Sequence, residues 1–305
     1  MLAIPRPRSL KLDLSHVPKQ ETQNSHCTNE SRSLFSTNLQ IQICDEVGSG
    51  GFGTVYCGLL DNRKIAVKKL RSNTKTKDLV WNSFLAELRV MSFNHNNIVK
   101  VLGAMMLENS PCLVMEFAGG RNLQEVIECK EEALSLARRL RIASTIASGL
   151  EYIHNQGIVH LDIKPTNLIM NDESSCKIAD FGCSLKVDEP DSNLRPNFYL
   201  TGTHAYKAPE LLLGEFPTTQ ADIYSLGICL WQMLARVEPY AGENPQLVIF
   251  GIATNTIRPG LANIMTESDA GYRKLFQKCW KGAPHDRPTP SSLQVELITN
   301  HKLDT

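Results

Sequence analysis

Residues 154–182 read HNQGIVHLDIKPTNLIMNDESSCKIADFG. The stretch puts two carboxylates, Asp162 and Asp180, a lysine, Lys164, and an amide, Asn167, on one short path between hydrophobic strands. Carboxylate and amide oxygens suit a hard divalent cation. A carboxylate can also orient an attacking hydroxyl, and an ammonium can offset charge that develops as a bond breaks. Any one of the four could be an ordinary turn or cap residue. All four at these spacings are read as one site.

Bulk properties narrow what surrounds that site. The chain has 305 residues, enough to bury a large core as one large domain or two lobes. Lys+Arg and Asp+Glu are each 32, so no global basic field attracts nucleic acid or an anionic membrane. Phosphate binding must therefore be local. Nine cysteines lie scattered through apolar segments with no C-x-x-C pair, which reads as reduced thiols rather than a disulfide framework. The start MLAIPRPRSLKLDL carries prolines and charges where a signal peptide needs an apolar run. The run from Ile223 to Ala235 is too short to span a bilayer. A soluble, cytoplasmic monomer with no nucleic-acid or membrane partner is expected.

Organisation follows from periodicity. Residues 1–38 are rich in Ser, Asn, Thr, Gln and Pro and are read as a disordered tail. Residues 41–47 alternate, a glycine turn follows, 55–60 run to a turn at Asp61-Asn62, and 65–67 return as a third strand. Leu79, Phe84, Leu85, Leu88 and Met91 fall at helical spacing over 78–92, and 98–107 and 112–117 read as strands. Beyond Gly119-Gly120 the pattern turns helical: 122–130, 135–155, 221–236, 243–253, 270–280 and 289–300. The class is α+β: a small β-rich lobe with one main helix (39–117), a hinge at 116–120 and a larger helical lobe (121–300).

A second motif lies in the β-rich segment. Gly48-Ser49-Gly50-Gly51-Phe52-Gly53-Thr54-Val55 fits G-x-G-x-x-G-x-V. Glycines let a backbone approach phosphate oxygens closely. A dinucleotide fold would place a helix directly after them, whereas here a strand follows. Lys68 ends the strand Ile65-Ala66-Val67, where a cation can reach phosphates, while strand alternation turns Lys69 to the other face. Glu87, among apolar helix positions, is the candidate anion that orients Lys68.

Order and spacing together resemble a eukaryotic protein kinase over about residues 43–297. The signatures are the glycine loop, Lys68, Glu87, His160-Leu161-Asp162 through Asn167, Asp180-Phe181-Gly182 and Ala208-Pro209-Glu210. Lys164, with Gly202-Thr203 before Tyr206, is similar to the serine/threonine group. Within it the chain resembles the Mos kinases in His160-Leu161-Asp162-Ile163-Lys164-Pro165, Asp180 to Leu185, Gly202 to Glu210 and Asp222 to Gly227.

The resemblance implies the bilobal kinase fold, ATP and Mg²⁺, and a protein substrate. It makes Asp162 the base, Lys164 the cation on the transferring phosphoryl group, and Asn167 and Asp180 the Mg²⁺ ligands. Thr203 would bond Asp162 and Lys164 as part of the catalytic framework. Nucleotide contacts fall on Val47, Gly48, Ser49, Gly50, Gly51, Phe52, Gly53, Val55, Ala66, Lys68, Glu87, Ile169 and Asp180, with Met115 as gatekeeper and backbone of Glu116 and Ala118 on the adenine edge. Phe181 is expected in the core against Met91, Val101 and His160, and Arg287 as the buried partner of Glu210. Asp222 either caps its helix or braces the catalytic loop from below. Cys183, next to Asp180-Phe181-Gly182, is a candidate activated thiol, weighed against an inert core cysteine. Leu161 stands where most kinases carry the arginine that grips an activation-loop phosphate, so no such phosphate should be needed; Ser184, Ser192, Tyr199 and Thr201 remain phosphorylatable there. Mos kinases imply a MAP kinase kinase kinase that activates a MAP kinase kinase in oocyte meiosis. The alternatives are a Raf-like kinase kinase kinase and, from another class, a pseudokinase scaffold.

Overall fold

The computed structural model describes residues 41–51, 53–71, 77–107, 110–172, 174–187, 203–261 and 269–303. The tail 1–38, Phe52, and Ser192, Tyr199, Thr201 and Gly202 of the activation segment lie outside them. Two compact units emerge: residues up to Phe93 with Lys100–Phe117, and Asn94–Val99 with Ala118 onward.

The first unit is a five-stranded antiparallel sheet with one helix. Strands β1 (Ile41–Ser49), β2 (Gly53–Leu60), β3 (Arg63–Leu70), β4 (Val101–Leu107) and β5 (Ser110–Glu116) take the order β1-β2-β3-β5-β4. Asp61 and Asn62 both have positive φ, 49° and 62°, the tight turn whose twist matches the strands it joins. That turn pairs Leu60 with Arg63 and sets the whole β2–β3 register. Ile65, Val67, Met105, Cys112 and Val114 form a buried cluster on one sheet face. Period-two alternation therefore turns Ala66 and Lys68 to the other face. Helix α1 (Lys77–Arg89) carries Glu87.

In the second unit, short helix α2 (Leu123–Glu128) precedes α3 (Leu136–Asn155), then α4 (Pro209–Leu212), α5 (Gln220–Ala235), α6 (Pro245–Ala253), α7 (Ala270–Cys279) and α8 (Pro290–Leu303). Helix α5 is buried on every side over Ala221–Met233, which is why its sequence is apolar all round rather than striped. Gly227 is where α5 and α7 meet: a Cβ there would stand 2.8 Å from Cys279 Cβ. Among the described residues no helix is long and apolar enough to cross a membrane.

Small strands complete this unit: β6 (Arg121–Asn122), β7 (Ile158–Val159), β8 (Leu168–Met170), β9 (Cys176–Ile178) and β10 (Leu185–Lys186). Three residues or fewer each, they carry too little alternation to be seen as strands in the sequence. They form a β6-β8-β9 sheet and a β10-β7 pair. The structure differs from the sequence reading at Asn94–Val99, expected with the β-rich lobe. Ile98 pairs with Ile178, Ile178 N–H donates to the Asn97 carbonyl (2.8 Å), and Val99 N–H donates to the Ile178 carbonyl (2.9 Å). Those bonds assign the segment to the helical unit and delay β4 to Val101.

One ion pair ties distant parts of this unit together. Arg287, 3% exposed, donates bidentately to Glu210 at 2.6 and 2.7 Å, and to the carbonyls of Gln220, Lys281 and Gly282. A buried carboxylate stripped of its partner is expensive to retain. Arg287→Ala is expected to lower stability by about 3–5 kcal/mol, read from urea denaturation. A midpoint close to wild type would mean that Glu210 is solvated in the variant.

Candidate active site

Lys68 and Glu87 meet inside the first unit. Lys68 Nζ donates to Glu87 Oε1 at 2.8 Å, with the residues 5% and 1% exposed. Strand β3 delivers the lysine because Val67, its neighbour, is taken by the core cluster. At the sheet edge Gly50 N–H donates to the Gly53 carbonyl at 2.8 Å, closing the β1–β2 turn. Gly53 is required by packing, since a Cβ would lie 2.5 Å from the Lys69 carbonyl oxygen. Gly48, Gly50 and Gly51 have open space where a Cβ would be, so nothing in the fold demands glycine at these three. Val47 is exposed and Ser49 accepts a hydrogen bond from Arg71. Ala66 pairs with Met115 and Ile65 with Glu116 across β3–β5. Met115 is buried, and Glu116 accepts from the Lys100 N–H through Oε1 (2.9 Å).

In the second unit the β8–β9 hairpin is the positioning device. Its register pairs Leu168 with Ile178, so Asn167 just before β8 and Ala179-Asp180 just after β9 come side by side. The Ala179 N–H donates to the Asn167 carbonyl at 2.9 Å. Asn167 then directs both its amide bonds at Asp162, to the backbone oxygen and to Oδ2, each 2.9 Å. This leaves Asn167 Oδ1 as the acceptor end of the amide. Lys164 Nζ lies 2.8 Å from Asp162 Oδ2. Asp180 adopts left-handed backbone (φ 61°, ψ 75°). Four residues spread over nineteen positions thus form one oxygen-rich, cation-flanked group. Ile169 and Ala118, the other expected nucleotide contacts of this unit, are half-buried.

The base of the catalytic loop is built on Asp222. This carboxylate is fully buried and accepts from His160 N–H, Leu161 N–H and His154 Nε2, each at 2.8 Å. Leu161 sits at φ 65°, a region costly for a side chain with a Cβ. The two backbone bonds to Asp222 hold it there. Of the two expected roles for Asp222, bracing is the one observed. The sequence reading missed His154; its place in the last turn of α3, four residues before the strand leading to His160, was the available signal. The His160 ring lies 4.8 Å from Phe181 in an edge-on contact, and its Nε2 is 3.1 Å from the Ala179 carbonyl.

A protein kinase domain model matches residues 41–302. The chain is 44% identical over 298 residues to the serine/threonine-protein kinase mos of Patiria pectinifera, covering 93% of this chain and 84% of that relative. It is 37% identical over 276 residues to the proto-oncogene serine/threonine-protein kinase mos of Mus musculus, covering 85% and 80%. The pig counterpart, from Sus scrofa, is also 37% identical, over 279 residues. The chain belongs to the Mos family of serine/threonine protein kinases.

For a Mos-family kinase, three expectations change. Thr203 is exposed, and its side chain makes no hydrogen bond to Asp162 or Lys164, whose charges are already paired with each other and with Asn167. Ser184 is 3% exposed, so its hydroxyl is not open to a phosphorylating enzyme. Cys183 is 4% exposed, and burial, aided by Asp162 and Asp180, pushes its thiol up to about 12. Burial and disfavoured ionisation both support the inert core cysteine over the activated thiol.

Native kinase treated with iodoacetamide at neutral pH should therefore show no ATP-sensitive labelling at Cys183 by peptide mass spectrometry, whereas exposed Cys44 should label. Lys68→Met is expected to abolish phosphoryl transfer. It should also cost about 3–5 kcal/mol of stability, since Glu87 is left buried and charged. Lys68→Met with Glu87→Met should regain much of that stability without regaining activity; a double variant no more stable than the single one would argue against the buried carboxylate as the cause.

Proposed function

We propose that this kinase moves the γ-phosphoryl group of ATP, with Mg²⁺, to a serine or threonine hydroxyl of a MAP kinase kinase. It would serve as a MAP kinase kinase kinase in oocyte meiosis, acting in the cytoplasm as a monomer. The observation that carries the chemistry is the Asp162–Lys164–Asn167 cluster beside Asp180. The finer role rests on the resemblance to Mos kinases.

The residues fit the groups that phosphoryl transfer needs. Magnesium keeps several waters and phosphate oxygens and takes one or two protein oxygens. Asp180 and Asn167 Oδ1 offer such a set, and among the described residues no cluster of three or more His, Cys, Asp or Glu competes for a metal. When bound, the ion would neutralise phosphate charge. Asp162 orients the attacking hydroxyl and receives its proton; its Oδ2 is fixed by Asn167 and Lys164, which fixes the direction in which Oδ1 faces. Lys164 offsets charge on the transferring group. Glycines 48, 50 and 51, unconstrained by packing, let backbone amides approach the phosphates, and Lys68, oriented by Glu87, reaches the α- and β-phosphates.

Incubation with ATP–Mg²⁺ and a panel of purified kinase kinases tests the substrate. A MAP kinase kinase should be phosphorylated on serine or threonine, and Asp162→Asn should slow this by on the order of 10²-fold or more. Preference for an unrelated substrate would remove the cascade assignment while leaving the chemistry. Phosphatase-treated enzyme should keep most of its initial rate, because Leu161 cannot grip a phosphate. A loss of about tenfold, roughly 1.4 kcal/mol, restored by rephosphorylation within residues 183–207, would contradict that.

A further inference from the structure

Lys207 is a buried cation that the scheme above does not use. It is 3% exposed, and among the described residues Nζ reaches one acceptor, the Leu161 carbonyl, at a long 3.5 Å. Burying an ammonium is costly unless charge compensates it, and one weak neutral bond does not. Leucine or methionine would fill the same space without that cost. Burial lowers the basicity of Lys207, while Asp162, Cys183 and Asp222 raise it and Lys164 lowers it. Two of these, Asp162 and Asp222, are the carboxylates at the top and the base of the catalytic loop.

The backbone that delivers Lys207 is pinned on both sides. The Tyr206 carbonyl accepts from Ser225 Oγ at 2.8 Å, and the Tyr206 hydroxyl donates to Gln232 at 2.6 Å. Three residues later Glu210 is clamped by Arg287. The ammonium therefore approaches Leu161 from a rigid frame. Leu161 itself is buried, strained at φ 65°, and apolar where a kinase generally carries arginine. Asp222 holds its N–H; Lys207 holds its C=O. Leu161, which leads into Asp162, is thus engaged on both sides, firmly through its amide and weakly through its carbonyl.

We propose that Lys207 is a positioning residue for phosphoryl transfer. From the segment after the activation loop, its ammonium engages the carbonyl of the Leu161–Asp162 peptide, placing a positive charge inside the loop where position 161 has none. This rests on the kinase reading and explains how the loop is held without a phosphate.

The test uses dephosphorylated full-length enzyme, initial rates on a MAP kinase kinase and on a generic basic protein substrate, and thermal melts. Lys207→Met should fold and lose about tenfold or more in kcat, with KM for ATP changed less than about threefold. Lys207→Arg should recover most of the rate. The exchange Leu161→Lys with Lys207→Leu, which supplies the positive charge from position 161 instead, should recover part of it and decides the matter if Lys207→Met does not fold. A folded Lys207→Met with near wild-type kcat overturns the proposal. Loss of rate that neither Lys207→Arg nor the exchange repairs makes position 207 a packing site and also overturns it, as does failure of both Lys207→Met and the exchange to fold. Wild-type enzyme inactive on both substrates would instead defeat the kinase reading, independently of Lys207.

Discussion

The Asp222 carboxylate is the constraint on which the catalytic unit is built. It is fully buried, 61 residues away in sequence from Leu161, and it spends its acceptor capacity on the His160 and Leu161 amides and on His154. A buried carboxylate needs such partners, because removal from water is otherwise costly. In return it holds Leu161 in a backbone region that a branched side chain avoids. The direction of Asp162 follows from that strained residue. Asp162 then meets Asn167, and Asn167 is set by the β8–β9 register. Geometry of the reacting groups is thus inherited from the interior of helix α5.

Charges elsewhere follow the same logic at different depths. Lys68–Glu87 and Arg287–Glu210 are both buried and closely matched. Such pairs add little to stability relative to apolar residues of equal volume, yet breaking one is expensive. Their use is registration. The first fixes where a strand lysine ends; the second fixes the segment after the activation loop against the last third of the chain. Asp162–Lys164, partly exposed, is a weaker structural element and is free to serve chemistry. With Leu161 apolar, Asp162 is paired with Lys164 and Asn167, and Asp222 is held by His154 and two backbone amides.

How far the site could be read from residues depends on the range of the forces involved. The Asp61-Asn62 turn, the glycine turn, the alternation of β1 to β3 and the helical spacing of α3, α5, α7 and α8 are local, acting over one to four residues, and the structure places these elements within a few residues of where the pattern puts them. Three-residue strands such as β8 and β9 exist only because their partners are present, so they left no periodic trace. Thr203 was placed in the catalytic framework by motif, and its exposed side chain shows that a motif position does not carry the hydrogen bond with it.

The sequence by itself determined the fold class and the family, and it named Lys68, Glu87, Asp162, Lys164, Asn167 and Asp180 as the candidate groups, because spacing and residue chemistry are written directly in the chain. Tertiary structure alone decided which environment each group experiences. It made Cys183 an inert core thiol, closed off Ser184, turned Asp222 into the brace of the catalytic loop, moved Asn94–Val99 to the helical unit and buried Lys207 behind Leu161. The physical reason is that burial, dielectric and hydrogen-bond partners are supplied by residues tens of positions away. Only when the backbone closes does a named side chain acquire its charge state and its direction.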